Sequence, residues 1–131
     1  MFSHIFMSVS NFDHPLVFYD ALMQSLGNER RFCEPEKPWA GWHSDGKSRP
    51  FFVICKPFDG RANDPGNGQM VAFTAANREI VREAYRTALD NGGRSEGAPG
   101  LRPEYHPNYY GAYFRDLDGN KLCIACHDAE T

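Results

Sequence analysis

Two stretches of this chain follow one plan, and that doubling limits the folds open to it. Near the start, "FSHIFMSV" alternates like a half-buried strand, with Phe2, Ile5, Met7 and Val9 as core candidates and His4, Phe6 and Ser8 on the other side. A helix follows. Asp13 reads as its N-cap, Pro15 is tolerated in the first turn, and Phe18, Ala21, Leu22 and Leu26 form an apolar stripe ended by Gly27. Strand candidates then lie near 30–34, 39–44 and 51–56, the last two joined by "DGKS". From Gln69 the order returns. "QMVAFTA" is a strand, Asn77 caps a helix striped by Ile80, Val81, Ala84, Tyr85, Ala88 and Leu89, and Gly92-Gly93 closes it. Further strands are expected near 94–97, 109–115 and 121–127, the last two joined by the hairpin signal "DLDGN".

The pattern is therefore βαβββ written twice, across a polar, turn-rich connector, "PFDGRANDPGNG". Two units are too few for an extended solenoid. They can instead pool their sheets into one curved, mixed surface with helices on the convex face and a concave face left for a ligand. The expected fold class is α+β. At 131 residues the chain reads as a single domain, with one module over about 1–60 and the other over about 67–131.

Bulk chemistry excludes several functions. A net charge of −3 and the lack of a basic run give no reason to expect nucleic acid as a partner. No apolar run approaches the roughly 18–20 residues that cross a bilayer, so no membrane partner is expected either. The opening "MFSHIFMSVSNFDH" has neither the basic region nor the continuous apolar core of a signal peptide. Four cysteines in a chain without such a leader suggest reduced thiols and a cytoplasmic location.

"CIACH", residues 123–127, has the spacing of c-type haem attachment and of a redox pair. In an extended strand, however, residues three apart face opposite sides with Cα atoms about 10 Å distant. A disulfide requires them within about 7 Å. Leu122, Ile124 and Cys126 form the core-facing row, and Lys121, Cys123, Ala125 and His127 the other. The motif is a strand that spells a redox signature by accident.

Three segments, "HIFMSVSNFDHPLVFYDALMQSLG", "GNGQMVAFTAANREIVREAYRTALDNGG" and "GAPGLRPEYHPNYYGAYFRDLDGNKLCIACH", together resemble the glyoxalase/bleomycin-resistance/dioxygenase group, the vicinal-oxygen-chelate superfamily, with a lactoylglutathione-lyase-like cast. The D-x-D-G-N turn carries most of the likeness. The resemblance implies paired βαβββ modules, often a homodimer, and a small-molecule pocket in the concave sheet. It also implies a divalent metal held by two histidines and one or two glutamates. At the matching positions stand His4, Met70 and Cys123, and "FFVICKPF" supplies no acid. A thioether and a neutral thiol are soft donors, unsuited to ions that want imidazole and carboxylate.

The expectation is therefore a cytoplasmic, homodimeric protein that binds a small organic molecule and needs no cofactor, with copper as the soft-metal alternative. His4, Met70 and Cys123 are expected to converge in one hollow, joined by His106, Tyr109 and Tyr110 at its mouth, where aromatic rings stack on planar ligands. Of Trp39 and Trp42, on opposite faces of a strand, one should be core and the other a pocket wall or dimer contact. His43 is a candidate base by type alone. The alternative is a lyase or dioxygenase-type enzyme with a divergent metal site or metal-free acid–base catalysis. No catalytic residue is assigned.

Overall fold

A computed structural model describes residues 1–44 and 46–130. The first module runs β1 (His4–Ser8), α1 (Asp13–Ser25), β2 (Asn28–Glu34), β3 (Trp39–Ser44) and β4 (Phe51–Cys55). The second runs β5 (Val71–Thr74), α2 (Arg78–Asp90), β6 (Arg94–Leu101), β7 (Tyr110–Arg115) and β8 (Lys121–Cys126). The eight strands form two four-stranded sheets, ordered β1-β4-β3-β2 and β5-β8-β7-β6. In each, the first strand runs parallel to the last and the other pairs are antiparallel.

Each sheet turns one side to a helix and leaves the other open. Alternation decides which residues go where: Ile5, Met7 and Val9 face the core from the first strand, and Leu122, Ile124 and Cys126 from the last. The two helices pack against each other. A single core continues across both modules, with Phe18 of α1 edge-on to Phe114 of β7 and Phe52 of β4 edge-on to Phe73 of β5 at 4.9 Å.

The end strands β1 and β5 flank a seam bridged by side chains. Asn120 Nδ2 donates to the Ser8 carbonyl at 3.0 Å, Tyr19 donates its hydroxyl proton to the Asp116 carboxylate, and the Ser10 backbone N–H and hydroxyl both donate to Asp118. The "DLDGN" turn thus closes the β7–β8 hairpin and clamps one module to the other.

Three expectations change. Phe2 lies outside β1 and is largely exposed, because alternation from Ile5 puts even-numbered residues on the open side. Asp13 is not the N-cap of α1. Phe12, buried in the core, already has helical dihedrals (φ −70°, ψ −37°) and its carbonyl accepts the first helical bond from Leu16, while Asn11 Oδ1 receives the Asp13 N–H at 3.1 Å. β6 runs on to Leu101 through two register shifts, at Ser95/Gly97 and Gly97/Gly100. The Asn77 cap of α2 is present, its Oδ1 accepting the Ile80 N–H at 2.9 Å.

Candidate functional site

On the open side of the second sheet, the pairing of Ala72 with Cys123 and of Cys123 with Tyr113 sets a row across β5, β8 and β7. Tyr109, just ahead of β7, folds over that row. Its hydroxyl lies 2.9 Å from the Tyr113 hydroxyl and 3.5 Å from Cys123 Sγ, and it seals the thiol completely from solvent. Burial raises the pKa values of Cys123, Tyr109 and Tyr113 above their ordinary ranges, so all three are proton-bearing groups at neutral pH. A neutral, covered thiol is inert as a nucleophile.

Beside this cluster His106 and His127 stack, 2.9 Å apart from Nε2 to Nδ1. The Asn108 N–H donates to His106 Nδ1 at 3.2 Å, which leaves the ring proton on Nε2 to be donated to His127. Arg102 and Lys121 lie over the Tyr113 ring. His106, Tyr109 and Cys123 are thus brought together. Tyr110 is not, since it points the opposite way along β7, where its hydroxyl accepts from Arg82 Nη1 of α2 at 3.1 Å.

The open side of the first sheet is aromatic. His4, Phe51 and His43 stand in register across β1, β4 and β3. Phe32 covers Gly41, where its ring occupies the space a Cβ would need, and tilts against Trp39 at 4.8 Å. Trp39 is the open-side tryptophan; Trp42 is core and donates Nε1–H to Asp20 at 3.1 Å. His4 is exposed, held by Ser3 Oγ at 2.9 Å and set against the Phe6 ring.

Between the modules, at the start of β4 and the end of β3, lies a cavity of ≈ 350 Å³ whose walls are mainly apolar. Ile5, Met23, Trp42, Phe52 and Phe73 reach it from the core side, and Phe2, Phe51 and Met70 from its rim. Of the residues expected to share a hollow, only Met70 lines it. His4 stays on the open face of the first sheet, and Cys123 is shut beneath Tyr109. Phe52 and Phe73 carry no sequence signal beyond being core residues, because the space they border arises only when the modules pack. His43 and Trp42 were readable as candidates by type.

The chain shares 32% sequence identity with a glyoxalase/bleomycin resistance protein from Albidiferax ferrireducens, over 96% of this chain and 98% of that one, with a TM-score of 0.86. It belongs to the glyoxalase/bleomycin-resistance/dioxygenase family. A putative glyoxalase from Bacillus halodurans (20% identity, 96% and 95% coverage, TM-score 0.70) shares the fold. So does a glyoxalase/bleomycin resistance protein/dioxygenase family enzyme from Burkholderia phytofirmans (14%, 96% and 98%, 0.68). No family model and no curated protein matches the sequence.

The divalent metal of family enzymes does not fit the residues present at the matching positions. His4 is one imidazole, Met70 a neutral thioether, and Cys123 a thiol that burial keeps protonated. Among the described residues, no three His, Cys, Asp or Glu side chains gather in a way that could hold an ion. His4, Met70 and Cys123, the soft donors expected to suit copper, do not line one common cavity. No helix among the described residues is long and apolar enough to cross a membrane.

Proposed function

We propose that this family member binds a small, predominantly apolar organic molecule in the seam cavity and does so without the divalent metal of the family's enzymes. The cavity is the observation that carries the reading. Its ≈ 350 Å³ falls within the range of ligand pockets, it is walled by aromatic and thioether side chains, and a few polar groups sit near its mouth. The reading includes a homodimer, supported by Phe6, 57% exposed on an open sheet face, and a cytoplasmic setting, supported by four free thiols. Titration with naphthalene, followed by amide chemical shifts, is expected to move Ile5, Trp42, Phe52 and Phe73 saturably. Shifts scattered over the surface, or none, overturn the reading. Stoichiometric nickel, zinc or iron after purification without chelators would overturn its metal-free part.

An enzyme is the second reading. One observation favours it: the Asn108 N–H fixes His106 so that its Nε2 faces His127, and this oriented imidazole pair, beside the Tyr109 and Tyr113 hydroxyls, is of the kind acid–base catalysis uses. Screens for lactoylglutathione lyase and ring-cleaving dioxygenase activity, with and without added metal, distinguish it from simple binding.

A further inference from the structure

We infer that the occupant of the seam cavity is an uncharged, flat aromatic molecule of about two fused rings that carries one hydrogen-bond donor, such as an indole or a naphthol. This rests on the reading of the cavity as the ligand site and goes on to name the chemistry of the ligand.

Charge is the first constraint. No Asp, Glu, Lys or Arg stands among the described lining residues. A charged ligand would leave water for a mainly apolar space with no carboxylate, ammonium or guanidinium among those residues to pair with, which disfavours it.

Shape and size come next. Trp42, Phe52 and Phe73 line the space from the core side and Phe51 stands at its rim, with Trp42 and Phe52 6.3 Å apart and Phe52 edge-on to Phe73. Met23 and Met70 add thioethers, which make favourable contacts with ring edges. Flat aromatic surface is what such walls complement. An apolar cavity of about 150 Å³ accommodates benzene, so one of ≈ 350 Å³ accommodates about two rings.

The hydrogen-bonding handle follows from proton positions. His43 Nδ1 lies 2.9 Å from the Ser44 carbonyl oxygen. A carbonyl only accepts, so Nδ1 carries a proton, and in that tautomer Nε2 is the ring atom left to accept. Asn28 turns its amide NH₂ toward Met23 Sδ at 3.5 Å, which leaves its carbonyl oxygen as a second acceptor. With His43 Nε2 and Asn28 Oδ1 as acceptors at the lining, beside a Ser44 hydroxyl that can take either role, a ligand that donates one hydrogen bond is matched.

Calorimetric titration of the full chain with indole, 1-methylindole and indole-3-carboxylate tests this. Indole is expected to bind once per chain, roughly five- to tenfold more tightly than 1-methylindole, the worth of one net hydrogen bond. The carboxylate is expected not to bind. His43→Phe should abolish the preference for indole over 1-methylindole, and a cooperative thermal unfolding transition like that of the wild type shows that the variant is folded. Equal binding of indole and 1-methylindole to the wild type, or binding of the carboxylate as tight as that of indole, overturns the inference and leaves the cavity reading standing. Failure of all three probes to bind removes the cavity reading itself. Should His43→Phe not fold, the wild-type comparison of indole with its methylated form decides alone.

Discussion

Asp116 is almost wholly out of water, yet its carboxylate accepts four hydrogen bonds: Oδ1 from the Asp118 and Asn120 backbone N–H groups at 2.9 Å each, and Oδ2 from Asn120 Nδ2 at 2.8 Å and from the Tyr19 hydroxyl. Burial pushes its pKa up, and the bonds from Tyr19 and Asn120 oppose that shift. Because the folded value lies above the unfolded one, the stabilisation linked to this group is fully present below the unfolded value and is lost as pH rises through the folded one. The Tyr19 bond favours the ionised form, so Tyr19→Phe should cost about 1–3 kcal/mol at neutral pH and less in acid. Urea unfolding of both proteins across that range checks this; a gap that does not change with pH would show that the hydroxyl acts through packing alone. The sequence made "DLDGN" legible as a hairpin turn. Its second role was not legible, because Ser8, Ser10 and Tyr19 are about a hundred residues away and nothing local marks them as partners.

The two helices differ in how they begin, and that difference is measurable. α2 has a side-chain cap, with Asn77 in an extended conformation and its Oδ1 on the Ile80 N–H. α1 has none, and Asp13 sits inside its first turn, where it meets the positive end of the helix only as a charge. Asn77→Ala is expected to cost about 1 kcal/mol. Asp13→Ala should cost only about 0.3–1 kcal/mol, an effect that salt screens. Thermal or urea unfolding at low and high ionic strength separates them: a loss at Asp13 as large as that at Asn77 and insensitive to salt would restore Asp13 as the cap. Strand faces were readable where the alternation is unbroken: period 2 alone placed Cys123 and Cys126 on opposite sides of β8. The α1 cap was misread because Asp13 has the right side chain. What decides the start of the helix is the burial of Phe12, a tertiary effect.

At the level of the whole molecule, repetition in the sequence shows that there are two modules but not how they meet. That meeting creates the cavity, through Phe52 and Phe73 from different sheets, and it leaves the open face of the first module aromatic. Phe6 stays 57% exposed there, although covering a side chain of that kind contributes about 1.5–3 kcal/mol. Phe51, Phe32 and Trp39 extend the same apolar surface, with Arg49 over Phe51 and Lys37 over Trp39 at its rim. A second copy of the chain covering this face would remove Phe6 from water, whereas Phe6→Asp would place a carboxylate inside that contact. Light scattering is therefore expected to show a dimer for the wild type and a monomer for Phe6→Asp. Because core residues of a single chain, Ile5, Trp42, Phe52 and Phe73, line the seam cavity, the monomeric variant should still bind one indole per chain with little change in affinity. A wild type that is monomeric at high concentration would remove the case for a covered face. A Phe6→Asp monomer that no longer binds indole would mean that the partner completes the site.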